Sequence, residues 1–119
     1  MHLENLREYC LAKAEVTEGL PFGPNALVFK VAGKMFALAT MEADPHFRVN
    51  LKCDPERAAE MREQHEAILP GYHMNKQHWN TVVLDGTLPD SFVKELVDHS
   101  YDLVVASLPK KTRVALGWA

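Results

Sequence analysis

FRVNLKCDPERAAEMREQHEAIL, residues 47–69, carries both periodicities on which the fold turns. Phe47, Val49, Leu51 and Cys53 project to one side, and Arg48, Asn50 and Lys52 to the other. That pattern is a strand with one face on a core and the opposite face toward water. Asp54 then stands at a helix N-cap, Pro55 at the first helical position, and Glu56 complements the helix dipole. Ala58, Met61, His65 and Ile68 follow at spacings of three and four and trace a buried stripe, which Pro70-Gly71 stops. A half-buried strand followed by an amphipathic helix calls for a sheet covered by helices on one side.

The flanking sequence fits that plan. Leu3, Leu6, Cys10 and Ala14 share a stripe and predict a first helix over about residues 3–14, ended by the Gly- and Pro-rich TEGLPFGPNA. ALVFKV and MFALATM, joined through Ala32-Gly33-Lys34, predict a β-hairpin whose glycine takes a positive φ. MEADPH turns the chain into the 47–53 strand. Beyond the second helix, GYHMN supplies a short strand, His78–Leu84 a longer one, and Asp85-Gly86 a turn. Pro89-Asp90 starts a long helix to about Ser107, with Phe92, Leu96, Leu103 and Ser107 on one seam. Val93, Val97, Tyr101, Val104 and Leu108 lie beside that seam, and Pro109 ends the helix. The order is α-β-β-β-α-β-β-α: an α+β two-layer domain with a mainly antiparallel sheet of about five strands and helices packed on one face.

The 119 residues, 47% of them apolar, suit one domain over 1–119 with one core. No run approaches the ~20 apolar residues of a membrane-spanning helix, and Glu4, Arg7 and Glu8 occupy the place of a signal peptide's apolar stretch. The expectation is a cytoplasmic protein, a monomer by default. Cys10 and Cys53 belong to no CxxC pair and are expected as buried thiols. A net charge of −3 argues against a strongly cationic, indiscriminate nucleic-acid binder. The charge is segregated, however: acid collects in the helical segments, and base in the strand-like ones and the tail.

EYC, PFGP, LVFKV, KMFAL, VNLKCDPERA, PGYHMNKQHWNTV, LDGTLPD, DHSYDLVV and LPKK occur in an order that resembles the MmcQ/YjbR family. The resemblance covers about residues 3–113 and leaves only the tail VALGWA outside. It implies a frataxin-like (CyaY-like) α+β domain and DNA binding through a "double wing" arrangement of strands. It assigns no ligand-contacting residue, so a binding set has to be argued from the residues themselves.

Lys30, Arg48 and Lys52 on the water-facing side of the sheet, with Lys76 nearby, suit phosphate contacts. Asn50, Asn75 and Asn80 offer donor–acceptor pairs to base edges, and His73 and His78 add polar contacts. A solvated sheet face needs polar residues in any case, and lysines also guard against aggregation. Strand alternation sets Trp79 opposite His78, on the side of Thr81 and Val83, which favours a core tryptophan over one that stacks on a base. Lys110, Lys111 and Arg113 form a basic tail, read equally well as a flexible arm toward a polyanion or as a solubilising terminus.

No cofactor or metal is implied. His73 and His78, five apart, match no zinc spacing, and Glu4, Glu8, Glu15 and Glu18 are interrupted by Arg7 and Lys13 where frataxin-like iron binding needs crowded acid. In DHSYD a helix points Ser100 about 100° away from His99, so no catalytic triad is expected. DNA is the expected partner of a non-enzymatic binding module. The alternative is a small-molecule or protein-interaction module in which PFGP and the 70–80 segment line a pocket for an anionic metabolite or peptide.

Overall fold

Ala32 and Gly33, at φ 48° and 84°, close the first hairpin with the two left-handed residues that a tight right-twisted turn requires. A computed structural model describes residues 1–40, 47–72 and 74–118. The turn expected at 41–46 and the candidate His73 lie outside them.

The elements are α1 (Leu3–Leu11), β1 (Val16–Gly19), β2 (Ala26–Val31), β3 (Lys34–Thr40), β4 (Arg48–Lys52), α2 (Pro55–Gln64), β5 (Ile68–Pro70), β6 (Trp79–Val83), α3 (Asp90–Ser107) and α4 (Lys110–Ala115). All strand pairs are antiparallel, in the order β1-β2-β3-β4-β6-β5. The α+β two-layer plan holds. The sheet gains a sixth strand, β1, which starts at Val16 and runs into the stretch read as a helix terminator. Short as it is, β1 pairs with β2 from Val16↔Val31 to Gly19↔Val28. The short strand before β6 is Ile68–Pro70 rather than GYHMN, because α2 ends at Gln64 and releases Ile68 into the sheet. The tail also folds, as α4, instead of forming a free arm.

One face of the sheet carries the core. Phe29, Val31, Ala37, Ala39, Val49, Leu51 and Val82 meet Leu6 and Cys10 of α1, Met61 of α2, and Val93, Leu96, Val97 and Val104 of α3 in a single cluster. A bulge in β3 (Phe29 opposite Ala37, Lys30 opposite Met35) leaves Phe36 unpaired. Its buried ring meets Tyr101 edge-on at 5.4 Å. The buried Ser100 hydroxyl donates to the Phe36 carbonyl at 2.5 Å and accepts the Lys52 N–H at 2.8 Å, joining α3 to β3 and β4.

Asp54 occupies the N-cap of α2, but its carboxylate makes no capping bond; its N–H instead donates to His99 Nε2 at 3.2 Å. His99 and Ser100 thus each serve a backbone group, and DHSYD is a structural seam. Both cysteines are buried and unbridged, and burial pushes the Cys10 thiol up to about 12. No helix among the described residues is long and apolar enough to cross a membrane.

Candidate functional site

The second face of the sheet has no helix on it. Register places Gly19, Val28, Leu38, Asn50, Thr81 and Leu69 in one row across all six strands. Toward one end of this face lie Lys30, Lys52 and, opposite Lys52, Trp79; toward the other lie Thr40, Arg48 and Val83. The strand residues of this face therefore include Lys30, Arg48 and Lys52 and no carboxylate. The nearest strand acid, Glu18, has its side chain bonded to Arg7 of α1, which holds its carboxyl below the usual range. Acid is concentrated on the opposite side, along α1, α2 and α3. Lys30 and Lys52 are half-buried, and among the described residues neither ammonium has a hydrogen bond or ion pair.

Two loops border the floor. At the β5–β6 edge, the Tyr72 N–H donates to Thr81 Oγ1 at 2.9 Å, Thr81 Oγ1 donates to Asn50 Oδ1 at 2.6 Å, and Asn50 Nδ2 donates to the Tyr72 carbonyl at 3.3 Å. This closed ring of bonds holds the Tyr72 backbone over Asn50 and Thr81, which are buried, as are Val28 and Leu38 in the same row, although no core-forming helix packs on this face. The Tyr72 side chain stays 64% exposed. Gly71 permits the close crossing: its N–H donates to the Trp79 carbonyl at 2.9 Å, and a Cβ there would lie 2.7 Å from that oxygen. From the helix side, Arg62 donates to the Lys76 carbonyl and to Asn80 Oδ1, fixing the loop from below. At the β1–β2 edge, Leu20 and Pro21 wall an open cleft of about 430 Å³ over Thr17, Val28 and Lys30, and Phe22 beside them is 69% exposed.

Arg48, Asn50 and Lys52 face away from the core, as alternation required, and Lys30 joins them. Asn50, however, is spent on the Tyr72–Thr81 ring and has no free edge to offer. Asn80 is a correction: it shares the helix side with Val82, is 3% exposed, and bonds Arg62 and the Ala58 carbonyl. Trp79 is the converse correction. It is half-buried on the helix-free face, because β6 pairs Asn80 with Leu51 and Val82 with Val49. Asn75 spends its Oδ1 on the Gln77 N–H to shape the loop, while the Lys76 side chain is exposed and His78 is half-buried.

Lys110, Lys111 and Arg113 do not join the sheet face. α4 continues from α3, and Trp118 beyond it packs against the core. Nor do PFGP and the 70–80 segment form one pocket, since they border opposite edges of the sheet. Tyr72, Thr81 and Arg62 were not singled out as site residues from the sequence. Gly71, read from the sequence only as a helix stop, is the residue whose missing side chain allows the close crossing before Tyr72.

A family model described as YjbR matches residues 11–103. The chain belongs to the YjbR family. The uncharacterised protein YjbR of Escherichia coli K12 is 40% identical over 116 residues, 98% of both chains. The crystal structure of a Deinococcus radiodurans protein with the DUF419 domain superimposes with a TM-score of 0.89 at 43% identity, covering 98% of this chain and 88% of that one. A Pseudomonas syringae crystal structure matches at a TM-score of 0.77 and 28% identity, over 87% of this chain and 98% of that one. The fold of this chain is thus shared with both solved structures.

Proposed function

We propose that this YjbR-family chain is a nucleic-acid-binding protein, DNA being the favoured polymer, that acts by contact rather than catalysis through the helix-free face of its sheet. The observation that carries the reading is the charge division: three cations and no carboxylate on the strand residues of that face, against acidic helices behind it. A polyanion is attracted to one side of the molecule and repelled by the other, which orients it although the net charge is −3. Lys30 and Lys52 contribute phosphate contacts, with Arg48 at the far end and Lys76 on the bordering loop. Because phosphate contacts dominate such affinity, binding weakens steeply with salt.

The test is titration of labelled DNA at low salt against wild type and the double variant Lys30→Gln, Lys52→Gln. Binding lost in the double variant but retained in Lys110→Gln, Lys111→Gln supports the face; the reverse pattern contradicts it. The second reading, a small anionic ligand, is favoured by the cleft beside Lys30, whose Leu20, Pro21 and Val28 walls suit an apolar body behind an acidic head. A thermal shift produced by such a metabolite and not by oligonucleotides would select it.

A further inference from the structure

The two edges of the sheet are built differently. β5, at one edge, is short, includes Pro70 with no N–H to offer, and has the Ile68 N–H already bonded to the His65 carbonyl. β1, at the other, reads VTEG, with no proline and no lysine, and its single charge, Glu18, is paired with Arg7. The Ala32 N–H donates to the Glu15 carbonyl, which fixes the phase of the β1–β2 ladder. Thr17 opposite Lys30 and Gly19 opposite Val28 are then the bonded pairs. Val16 and Glu18 turn their N–H and C=O groups outward, along an edge that no described strand covers. Beside that edge lies the cleft over Thr17, Gly19 and Lys30. Buried Val28 closes its bottom, and its reachable walls are Pro21 and the half-exposed Leu20. A Cβ on Gly19 would meet only Pro21 Cδ, at 3.9 Å, so the space above Gly19 is open.

We propose that β1 accepts an extended segment of a partner protein as a further, antiparallel strand, with an apolar residue opposite Gly19 and an acidic residue opposite Thr17. Backbone pairing at a sheet edge supplies affinity, and pockets for alternate side chains supply selectivity. Residues two apart in the added strand share a face. The one opposite Gly19 therefore lies against Leu20 and Pro21, and the one opposite Thr17 points its carboxylate toward Lys30. Neighbouring strands are ~4.8 Å apart, so the added strand runs ~10 Å from β2, a gap that a lysine and a glutamate side chain span together. Among the described residues the Lys30 ammonium has no other partner, and the strand residues of its face include no carboxylate. A second copy of this chain is the poorer occupant. In the antiparallel register that pairs both Val16 and Glu18, Thr17 would face its own counterpart and Lys30 would gain no carboxylate there. The inference stands apart from the nucleic-acid reading and shares only Lys30 with it.

The probe is a fluorescein-labelled peptide, TVLTEVT, whose leucine and glutamate fall opposite Gly19 and Thr17. Anisotropy titration of the full chain is expected to show saturable binding. Lys30→Gln, or lysine in place of the peptide's glutamate, is expected to weaken it severalfold. Gly19→Val fills the space above the strand without a clash and is expected to abolish it. N-methylation of the peptide's central threonine, which bonds β1, is expected to abolish binding, whereas N-methylation of its glutamate, whose N–H points away, leaves binding nearly unchanged. Amide exchange reads the edge directly: the Val16 and Glu18 amides exchange freely in the chain alone and become protected with peptide, while Thr17 and Gly19 are protected in both. Equal loss from the two N-methylated peptides, binding indifferent to both Gly19→Val and Lys30→Gln, or no binding at all overturns the proposal. A mass that doubles with concentration, with Val16 and Glu18 protected before peptide is added, assigns the edge to a second copy and overturns it too.

Discussion

Ser100 and His99 are neighbours on α3 that secure backbone groups at the junction of β3, β4 and α2. Ser100→Ala removes the partner of the Phe36 carbonyl and of the Lys52 N–H, both at a buried hydroxyl. Leaving such groups unsatisfied costs about 1–3 kcal/mol, so the urea midpoint of Ser100→Ala is expected to fall accordingly, with the fold retained. His99 accepts a bond from the Asp54 N–H, which only an unprotonated Nε2 can do. Burial, and then Arg57, lower its pKa from the ordinary 6.5, outweighing Asp54 and Asp102, which favour the charged form. The unfolded imidazole therefore takes up its proton near pH 6.5, while the folded one resists to lower pH. Stability from this residue is complete above that value and is lost as pH falls through the window between the two. Denaturation followed from pH 8 downward is expected to show that decline in wild type and a flatter profile in His99→Gln. Equal slopes would remove His99 from the account.

At the scale of elements, the β5–β6 hairpin is the part that sets the interface, and it rests on one glycine and one arginine. Gly71→Ala would place a Cβ 2.8 Å from Trp79 Cβ and closer still to its carbonyl, so the hairpin must shift. Overpacking of this kind costs about 1–3 kcal/mol, and a lower melting temperature with altered Trp79 emission is expected. Arg62→Met severs the loop from α2 and strands Asn80 Oδ1 in a buried site, so proteolysis in the 72–78 loop is expected to quicken. The same hairpin marks where sequence reading fails. β4 was legible because Phe47, Val49, Leu51 and Cys53 all fall on one side. β6 was not, because Val82 and Val83 supply an apolar residue to each face, and alternation alone does not say which is inner. Pairing with β4 decides it, through residues thirty positions away, and reverses Trp79 and Asn80. β1 was missed for a related reason: four residues beside a Gly- and Pro-rich loop carry little periodic signal, and it is pairing with β2 that makes them a strand.

At the scale of the whole molecule, the two layers separate charge. Helices carrying most of the acid cover the core side, and the strand residues of the opposite side carry the half-buried cations Lys30, Arg48 and Lys52 and no carboxylate. The cations were readable from alternation in β2 and β4. The side taken by Trp79 was not, since it depends on the parity of β6. If the face binds nucleic acid, Lys30→Gln with Lys52→Gln is expected to reduce the slope of log affinity against log salt by roughly 1.4 to 1.8, the share of two phosphate contacts. The most direct test of the face itself is residue-resolved NMR of the ¹⁵N-labelled chain during titration with oligothymidylate at low salt. Shift changes are expected at Lys30, Lys52, Tyr72, Trp79 and Thr81, with the exposed sides of α2 and α3 unmoved. Changes confined to Lys110–Arg113 and the helical surface, with the strand residues unmoved, would contradict it.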